Sequence, residues 1–188
     1  MDGKIFGVGL SKTGTTSLHH AFKALGFSST HFPKIPQAFA GRFRCVDDYD
    51  AASDISVVPY YPQFDAVYPG SKFILTVRKI DDWLASMETW WRRERKPTEY
   101  MIRVRLAVFG IHTFNPDRLK YVYEKHVADV GEYFKDRPGD LLTLNICAGE
   151  GWEKLCPFLS RPIPDADFPF VVPGGKTKKR AVLGLFGR

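Results

Sequence analysis

Gly9-Leu-Ser-Lys-Thr-Gly-Thr-Thr-Ser17 is the stretch that decides how this 188-residue chain is read. Before it, Lys4-Ile-Phe-Gly-Val-Gly-Leu10 is a short, largely apolar run, the pattern of a buried strand. After it, Leu18, Ala21, Phe22 and Leu25 recur at i, i+3, i+4 and i+7, which predicts an amphipathic helix that Gly26 is placed to end. A strand, a glycine-containing loop and a helix N-terminus form a ready anion site, because free backbone N–H groups and the helix dipole face the ligand. The bland alternative is a tight strand-to-helix turn with no ligand. The density of small, polar and basic residues in the loop argues against it.

Outward from the loop, residues 28–62 are rich in Pro, Ser and Asp, with one short helix expected near 37–43. Residues 61–67 read as a helical piece closed by Pro69-Gly70. Lys72-Phe-Ile-Leu-Thr-Val77 is the clearest strand, nearly continuous in apolar residues as a central parallel strand is. Helical periodicity follows over 81–95, with Trp83, Leu84, Met87, Trp90 and Trp91 on one broad face, and Pro97 interrupts it. It resumes over 99–109 and 117–134. Asp136-Arg-Pro-Gly139 is a turn, Leu141-Leu-Thr-Leu-Asn-Ile146 a further buried strand, and 151–159 a helix with Trp152, Leu155 and Leu159 inward. Pro162, Pro164 and Pro169 mark an extended tail. Strands alternating with helices, without repeats, predict an α/β domain built on a mainly parallel sheet.

The length suits one domain with a core of its own. Three cysteines, Cys45, Cys147 and Cys156, show no CxxC spacing, which argues against a disulfide framework or a structural zinc site. Free thiols fit a reducing cytoplasmic setting. No apolar run approaches the roughly 20 residues that a spanning helix needs, and no signal peptide is visible before the first strand. The net charge of +6 fits either nucleic acid or a smaller polyanion. Basic residues cluster only at Arg92-Arg93-Glu94-Arg95-Lys96 and Lys176-Thr-Lys-Lys-Arg180, without the aromatic interleaving of a nucleic-acid module. Charge alone does not decide between the two ligand classes, since most mild positive excess is simply solvated surface; neither nucleic acid nor membrane is expected as a partner.

Gly9 and Gly14 have the spacing of the Walker A loop GxxxxGK[ST], but Thr15 stands where that motif places lysine. The lysine sits inside the loop as Lys12, and approaches a terminal group from another side. A nucleotide triphosphatase also uses an aspartate at a neighbouring strand end to organise magnesium. The two clearest strands end Val77-Arg78 and Ile146-Cys147, with no such residue. A metal-free, cation-lined site is expected.

These residues are similar to the sulfotransferase family, whose members move a sulfuryl group from 3′-phosphoadenosine 5′-phosphosulfate (PAPS) to a hydroxyl or amine. Ser11-Lys-Thr-Gly-Thr-Thr-Ser-Leu18 resembles the family's 5′-phosphosulfate loop, xxKxGTTxL. Arg78 and Ser86, eight residues apart in Val77-Arg-Lys-Ile-Asp-Asp-Trp-Leu-Ala-Ser86, resemble its 3′-phosphate signature, an arginine at a strand end and a serine on the following helix. Gly149-Glu-Gly-Trp-Glu-Lys-Leu-Cys-Pro-Phe-Leu159 resembles the C-terminal part of compact microbial members. The resemblance runs over about residues 4–172. It implies a P-loop-like three-layer fold, PAPS as donor without a metal, and Ser11, Lys12, Thr13, Gly14, Thr15, Thr16, Ser17, Arg78 and Ser86 as donor-binding residues. The RKG-type motif of animal cytosolic members has only Gly174-Gly175-Lys176-Thr-Lys178 as a counterpart.

Sulfuryl transfer calls for in-line positioning, stabilised oxygens and a base for the acceptor. The resemblance gives the first two tasks to the loop and Lys12; the bland alternative for Lys12 is an exposed loop lysine. In cytosolic members of the family the base is a histidine roughly two dozen residues before the 3′-phosphate arginine, and some carbohydrate-modifying members use a glutamate. Asp54 lies 24 before Arg78. A carboxylate serves as base where burial raises its pKa, but Asp54 reads equally well as a helix cap or turn residue in Ala51-Ala-Ser-Asp-Ile55. His31, Asp47 and Asp48 are reserves. His19 and His20 are expected on a helix surface, and His112 and His126 as structural or solvated. Trp83, Trp90 and Trp91 are divided between core packing and an acceptor pocket, and Arg92, Arg93 and Arg95 between a solvated helix end and an acidic acceptor. The acceptor is a small molecule or a glycan. Two other functions compete: a nucleotide kinase or NTPase with an aberrant loop, and a non-catalytic binder of the donor or its product.

Overall fold

The computed structural model describes residues 3–94 and 96–171. Its centre is β1 (Ile5–Gly7), the strand read before the loop. β2 (Ser29–His31), β3 (Ala51–Ser53), β4 (Lys72–Thr76) and β5 (Leu141–Leu144) complete one sheet in the order β2-β3-β1-β4-β5. Every neighbouring pair is parallel, with Ile5 opposite both Ala51 and Lys72.

Alternation along the strands sets the layers. Ile5 and Ile74 face Leu18, Ala21 and Phe22 of α1 (Thr15–Ala24) and Trp152 and Leu155 of α6 (Trp152–Phe158). Phe6, Val8, Phe73 and Leu75 face the other way, onto Phe64 of α2 (Tyr61–Val67) and Val130 of α5 (Pro116–Tyr133), with Phe134 just beyond it. Phe6 stacks on Phe64 with ring centroids 4.9 Å apart. Full burial of such a ring contributes roughly 1.5–3 kcal/mol. The result is the expected three-layer α/β architecture.

A third cluster closes the carboxyl end of the sheet. Trp83, Met87 and Trp91 of α3 (Ile80–Arg93) pack with Val104 and Phe109 of α4 (Glu99–Phe109), with Leu119 and Tyr123 of α5, and with Leu10, Ile55 and Val58. β1 has β3 on one side and β4 on the other. The chain therefore leaves β1 towards one edge and later returns to the opposite side. In a parallel sheet such a switch opens a crevice beyond the strand ends, where ligands bind.

Two strands escape the sequence pattern. β2 and β3 fall inside the stretch read as an irregular connection, and the short helix expected near 37–43 is a single 3-10 turn, Ala38–Ala40. Three residues are too few to display an alternation, and the Ala-Ala-Ser of β3 lacks the β-branched and aromatic residues that mark strands. Its small side chains suit a strand packed against glycine. A Cβ on Gly7 would stand 2.7 Å from the Cβ of Ser53 and 3.0 Å from Leu18. The extended tail runs back along α6: Trp152 Nε1 donates to the Ala166 carbonyl at 2.8 Å, and Phe168 packs edge-on against Trp152. The Gly174–Lys178 counterpart, the basic cluster at 176–180 and Arg95 lie outside the described residues.

Candidate active site

The loop from β1 to α1 lies on the crevice and is pinned from beneath. Thr13 Oγ1 donates to the Leu10 carbonyl and meets Thr76 Oγ1, both at 2.6 Å. Trp83 Nε1 donates to the Ser11 carbonyl at 2.8 Å. Gly9 must be glycine, because a Cβ there would lie 1.8 Å from Thr76 Oγ1 and 2.7 Å from the Thr76 carbonyl. Gly14 caps α1 at φ 106°, with no side chain satisfying the first-turn N–H groups and no acidic residue in that turn. A helix start without a side-chain cap leaves its donors for an external anion.

The crevice opens into a cavity of about 660 Å³ whose wall includes Ser11, Lys12, Gly14, Thr15, Thr16 and Ser17. Arg78, beyond the end of β4, and Ser86, on α3, stand on the same wall. A cavity of this size is in the range that holds nucleotide-sized ligands. Arg78 is fixed at both ends. Its backbone N–H donates to Tyr123 Oη at 2.9 Å, Tyr123 Oη donates back to its carbonyl at 2.6 Å, and its Nη1 donates to the Lys12 carbonyl at 3.2 Å. One guanidinium donor is thus spent on the loop, and the rest of the fork is available for a planar or tetrahedral anion. The structure therefore brings the two separated motifs to one cavity. Thr13 is the exception among the expected ligand residues. Its side chain is fully buried beneath the loop, and its backbone N–H turns to the Leu10 carbonyl.

Asp54 follows β3 directly and is not a helix cap. Its Oδ1 accepts from Ser11 Oγ at 3.1 Å and from Thr15 Oγ1 at 3.2 Å, and its Oδ2 lies 3.4 Å from His31 Nε2. His31 Nε2 is also 3.3 Å from Thr15 Oγ1 and 3.4 Å from Thr16 Oγ1. The carboxylate and the imidazole face the cavity together beside the loop hydroxyls. An aspartate thus follows a strand beside the loop, although the two clearest strands in the sequence end without one. The two clearest strands in the sequence are β4 and β5, but the one between β1 and β2 is β3.

Backbone strain marks the same wall. Among the described residues, Lys12 (φ 72°), Phe32 (φ 51°), Asp54 (φ 90°) and Ser160 (φ 52°) are the non-glycine residues at positive φ, and three of these four line the cavity. Strain of this kind persists where the surrounding structure enforces it, and it gathers at functional sites. Burial pushes the Lys12 ammonium below the ordinary lysine range. Asp54 and Glu94 pull it partly back, and Arg93 opposes them.

The remaining expectations fall out by position. Asp47 accepts from Tyr68 Oη at 2.7 Å, and neither it nor Asp48 is on the cavity wall. His126 Nε2 donates to the Val8 carbonyl at 2.7 Å, a structural role. His112 is exposed. His19 is not a surface residue as expected: it is half-buried, with Nδ1 2.9 Å from Ser29 Oγ and its ring 5.7 Å from that of His31. Trp83 is core, Trp91 is nearly so, and Trp90 lines the cavity with Phe32, Ile55 and Met101. Seven wall residues were not anticipated: Phe32, Ile55, Met101, Ile146, Cys147, Phe170 and Val171. Cys147 follows β5, and Phe170 and Val171 belong to the tail, whose Val171 N–H donates to Ser17 Oγ at 2.9 Å. No local motif marks the last four; only the turn after β5 and the return of the tail bring them here. Among the described residues, no group of three or more His, Cys, Asp and Glu side chains converges as a metal site, and no helix is long and apolar enough to cross a membrane.

"Ava biosynthesis cluster protein M" of Aspergillus versicolor is 27% identical over an alignment of 213 residues, covering 89% of this chain and 80% of that protein. The family model of the sulfotransferase domain matches residues 4–176, both motifs and the whole sheet included, and the chain belongs to the sulfotransferase family.

Proposed function

We propose that the protein transfers a sulfuryl group from PAPS to a hydroxyl or amine of a small-molecule or glycan acceptor. The observation that carries this reading is the convergence of the uncapped α1 N-terminus, Lys12, Arg78 and Ser86 on one cavity. It offers sites for two separate phosphate-like groups, as a nucleotide with anions at both its 3′ and 5′ positions requires. The α1 amides with Thr15, Thr16 and Ser17 would hold the 5′ end, and Arg78 with Ser86 the 3′-phosphate. The donor supplies a sulfuryl group whose S–O bond to the leaving phosphate breaks as an S–O bond to the acceptor forms. Lys12 is placed to stabilise the oxygens on which charge gathers. The Asp54–His31 pair takes the acceptor proton, with Ser11 and Thr15 orienting the carboxylate.

Titration calorimetry with 3′-phosphoadenosine 5′-phosphate, the desulfated donor, tests the binding half. We expect saturable binding that Arg78→Ala weakens, and sulfuryl turnover that Lys12→Ala abolishes. No binding by the native chain sinks the reading.

A second reading has one observation in its favour. Asp54 ends the strand next to β1, where a nucleotide kinase or NTPase keeps its magnesium-organising acid. Thr15 in place of the motif lysine, and the engagement of Asp54 by Ser11, Thr15 and His31, oppose it. Magnesium-dependent phosphoryl transfer from ATP is the activity that would establish it. Normal binding of the desulfated donor without turnover over a broad acceptor panel would instead identify a non-catalytic relative.

A further inference from the structure

The side chain of Lys12 reaches Trp90. Its Nζ lies 5.2 Å from the indole centroid. Among the described residues the ammonium has no carboxylate within ion-pair distance and no hydrogen-bond partner, so the indole is the contact that fixes it. The same ring carries a second cation. The guanidinium of Arg105, on α4, is 4.6 Å from the Trp90 ring and 4.4 Å from that of Trp91. Arg105 is completely buried and paired with Glu94 at the end of α3, while its Nε and Nη1 have no hydrogen-bond partner.

A buried guanidinium with two idle donors is a poor packing element, since an apolar side chain of similar volume fills such a space at less cost. What the arrangement achieves is geometric. Arg105 and Glu94 tie α4 to the last turn of α3, and the two indoles are locked against the guanidinium. The ring that lines the cavity is thereby immobilised. Its π-face attracts an ammonium without accepting its hydrogen bonds. A carboxylate at the same place would hold Lys12 more tightly but would take up the donors needed by a transferring anionic group.

We propose that Trp90 is a positioning residue, its indole fixed by Arg105 and Glu94 so that it holds the Lys12 ammonium at the loop with its N–H donors free. The proposal rests on Lys12 acting on the transferred group. It adds an aromatic platform, supplied by α3 and buttressed by α4, to the loop that carries the lysine. Misplacing a catalytic group by about 1 Å can cost on the order of 10²-fold in rate, so the platform should appear in turnover, not in donor affinity.

The first measurement uses the native chain. Lys12 Cε methylene protons, assigned by comparison with Lys12→Arg, should be shifted upfield by the indole ring current; ordinary lysine values would overturn the proposal. Trp90→Phe should keep most of that shift and turnover within about threefold of native. Trp90→Leu should abolish the shift and lower kcat roughly 10–100-fold, with donor KM and desulfated-donor affinity nearly unchanged. An equal loss of kcat in both variants would make the role one of bulk. A rise in acceptor KM at unchanged kcat would make Trp90 a wall of the acceptor site. Either result overturns positioning. Failure of the native chain to bind the desulfated donor removes the sulfotransferase reading and this proposal together. Normal binding with any of the overturning results removes only this one.

Discussion

His31 Nε2 and Asp54 Oδ2 stand 3.4 Å apart at the mouth of a loop whose hydroxyls hold the other carboxylate oxygen. The pair joins the ends of β2 and β3, which are neighbouring parallel strands. On the proposed reading, the acceptor proton would have two places to go, the carboxylate itself or the ring beside it. Asp54→Asn should lower kcat by about 10²–10⁴-fold, the usual contribution of a general base, and leave affinity for the desulfated donor intact. His31→Gln should cost less. Single-turnover rates for both variants decide the roles, and a larger loss at His31 makes the imidazole the acceptor and Asp54 its orienting partner.

The fold carries an acid-sensitive point beside this pair. Burial, helped by the charges of His31, His20 and Lys23, pushes His19 down to about 4 from an ordinary 6.5. Between those values the unfolded chain binds a proton at His19 that the folded chain refuses. Stability therefore falls as pH drops from about 6.5 towards 4, and this group contributes no slope above 6.5. His19→Gln should flatten that dependence. Thermal melts at pH 7 and pH 5 should show a smaller gap for the variant than for the native chain.

The loop's clearance over β4 gives a steric prediction. Gly9→Ala puts a methyl group 1.8 Å from Thr76 Oγ1 and breaks into the Thr13–Thr76 contact. Overpacking at such a site costs about 1–3 kcal/mol. The lifted loop should also lose desulfated-donor binding. Gly9→Ala combined with Thr76→Ser removes a methyl but keeps the offending oxygen, so it should recover little. Gly9→Ala with Thr76→Gly should recover only part of the melting temperature, because the hydroxyl is gone but the methyl still lies 2.7 Å from the Thr76 carbonyl and 2.9 Å from Thr13 Oγ1.

Much of this was legible in the chain itself. β1, the loop, α1, β4 and all the later helices follow from apolar periodicity and from glycine and proline placement, and the bounds of α2 to α6 lie within two residues of expectation. Arg78 and Ser86 were readable through the resemblance to the family's 3′-phosphate signature, whose spacing survives because a strand end and a helical turn fix it locally. Asp54 was readable as a residue but not as a neighbour. Its place depends on β3 lying between β1 and β2, a tertiary pairing of three small residues that leaves no pattern in the sequence. His31 was obscured for the same reason, at the end of a three-residue edge strand. Thr13 shows the opposite limit. Its motif position suggests a ligand contact, and only the depth of the loop reveals that it faces Thr76.

Arg78 offers the sharpest test of which anion the site reads, because it has two partners to lose. One is the Lys12 carbonyl, which its Nη1 already holds at 3.2 Å. The other is the proposed 3′-phosphate. Charge-assisted hydrogen bonds are worth about 1.5–3 kcal/mol, so Arg78→Ala should weaken 3′-phosphoadenosine 5′-phosphate about 10–100-fold. Adenosine 5′-phosphate, which lacks the 3′ group, should bind native and variant alike. Arg78→Lys should fall between, keeping the charge but losing the planar fork. An equal loss for both nucleotides has another meaning: Arg78 then acts by holding the loop through the Lys12 carbonyl, and the 3′-phosphate must be recognised elsewhere on the cavity wall.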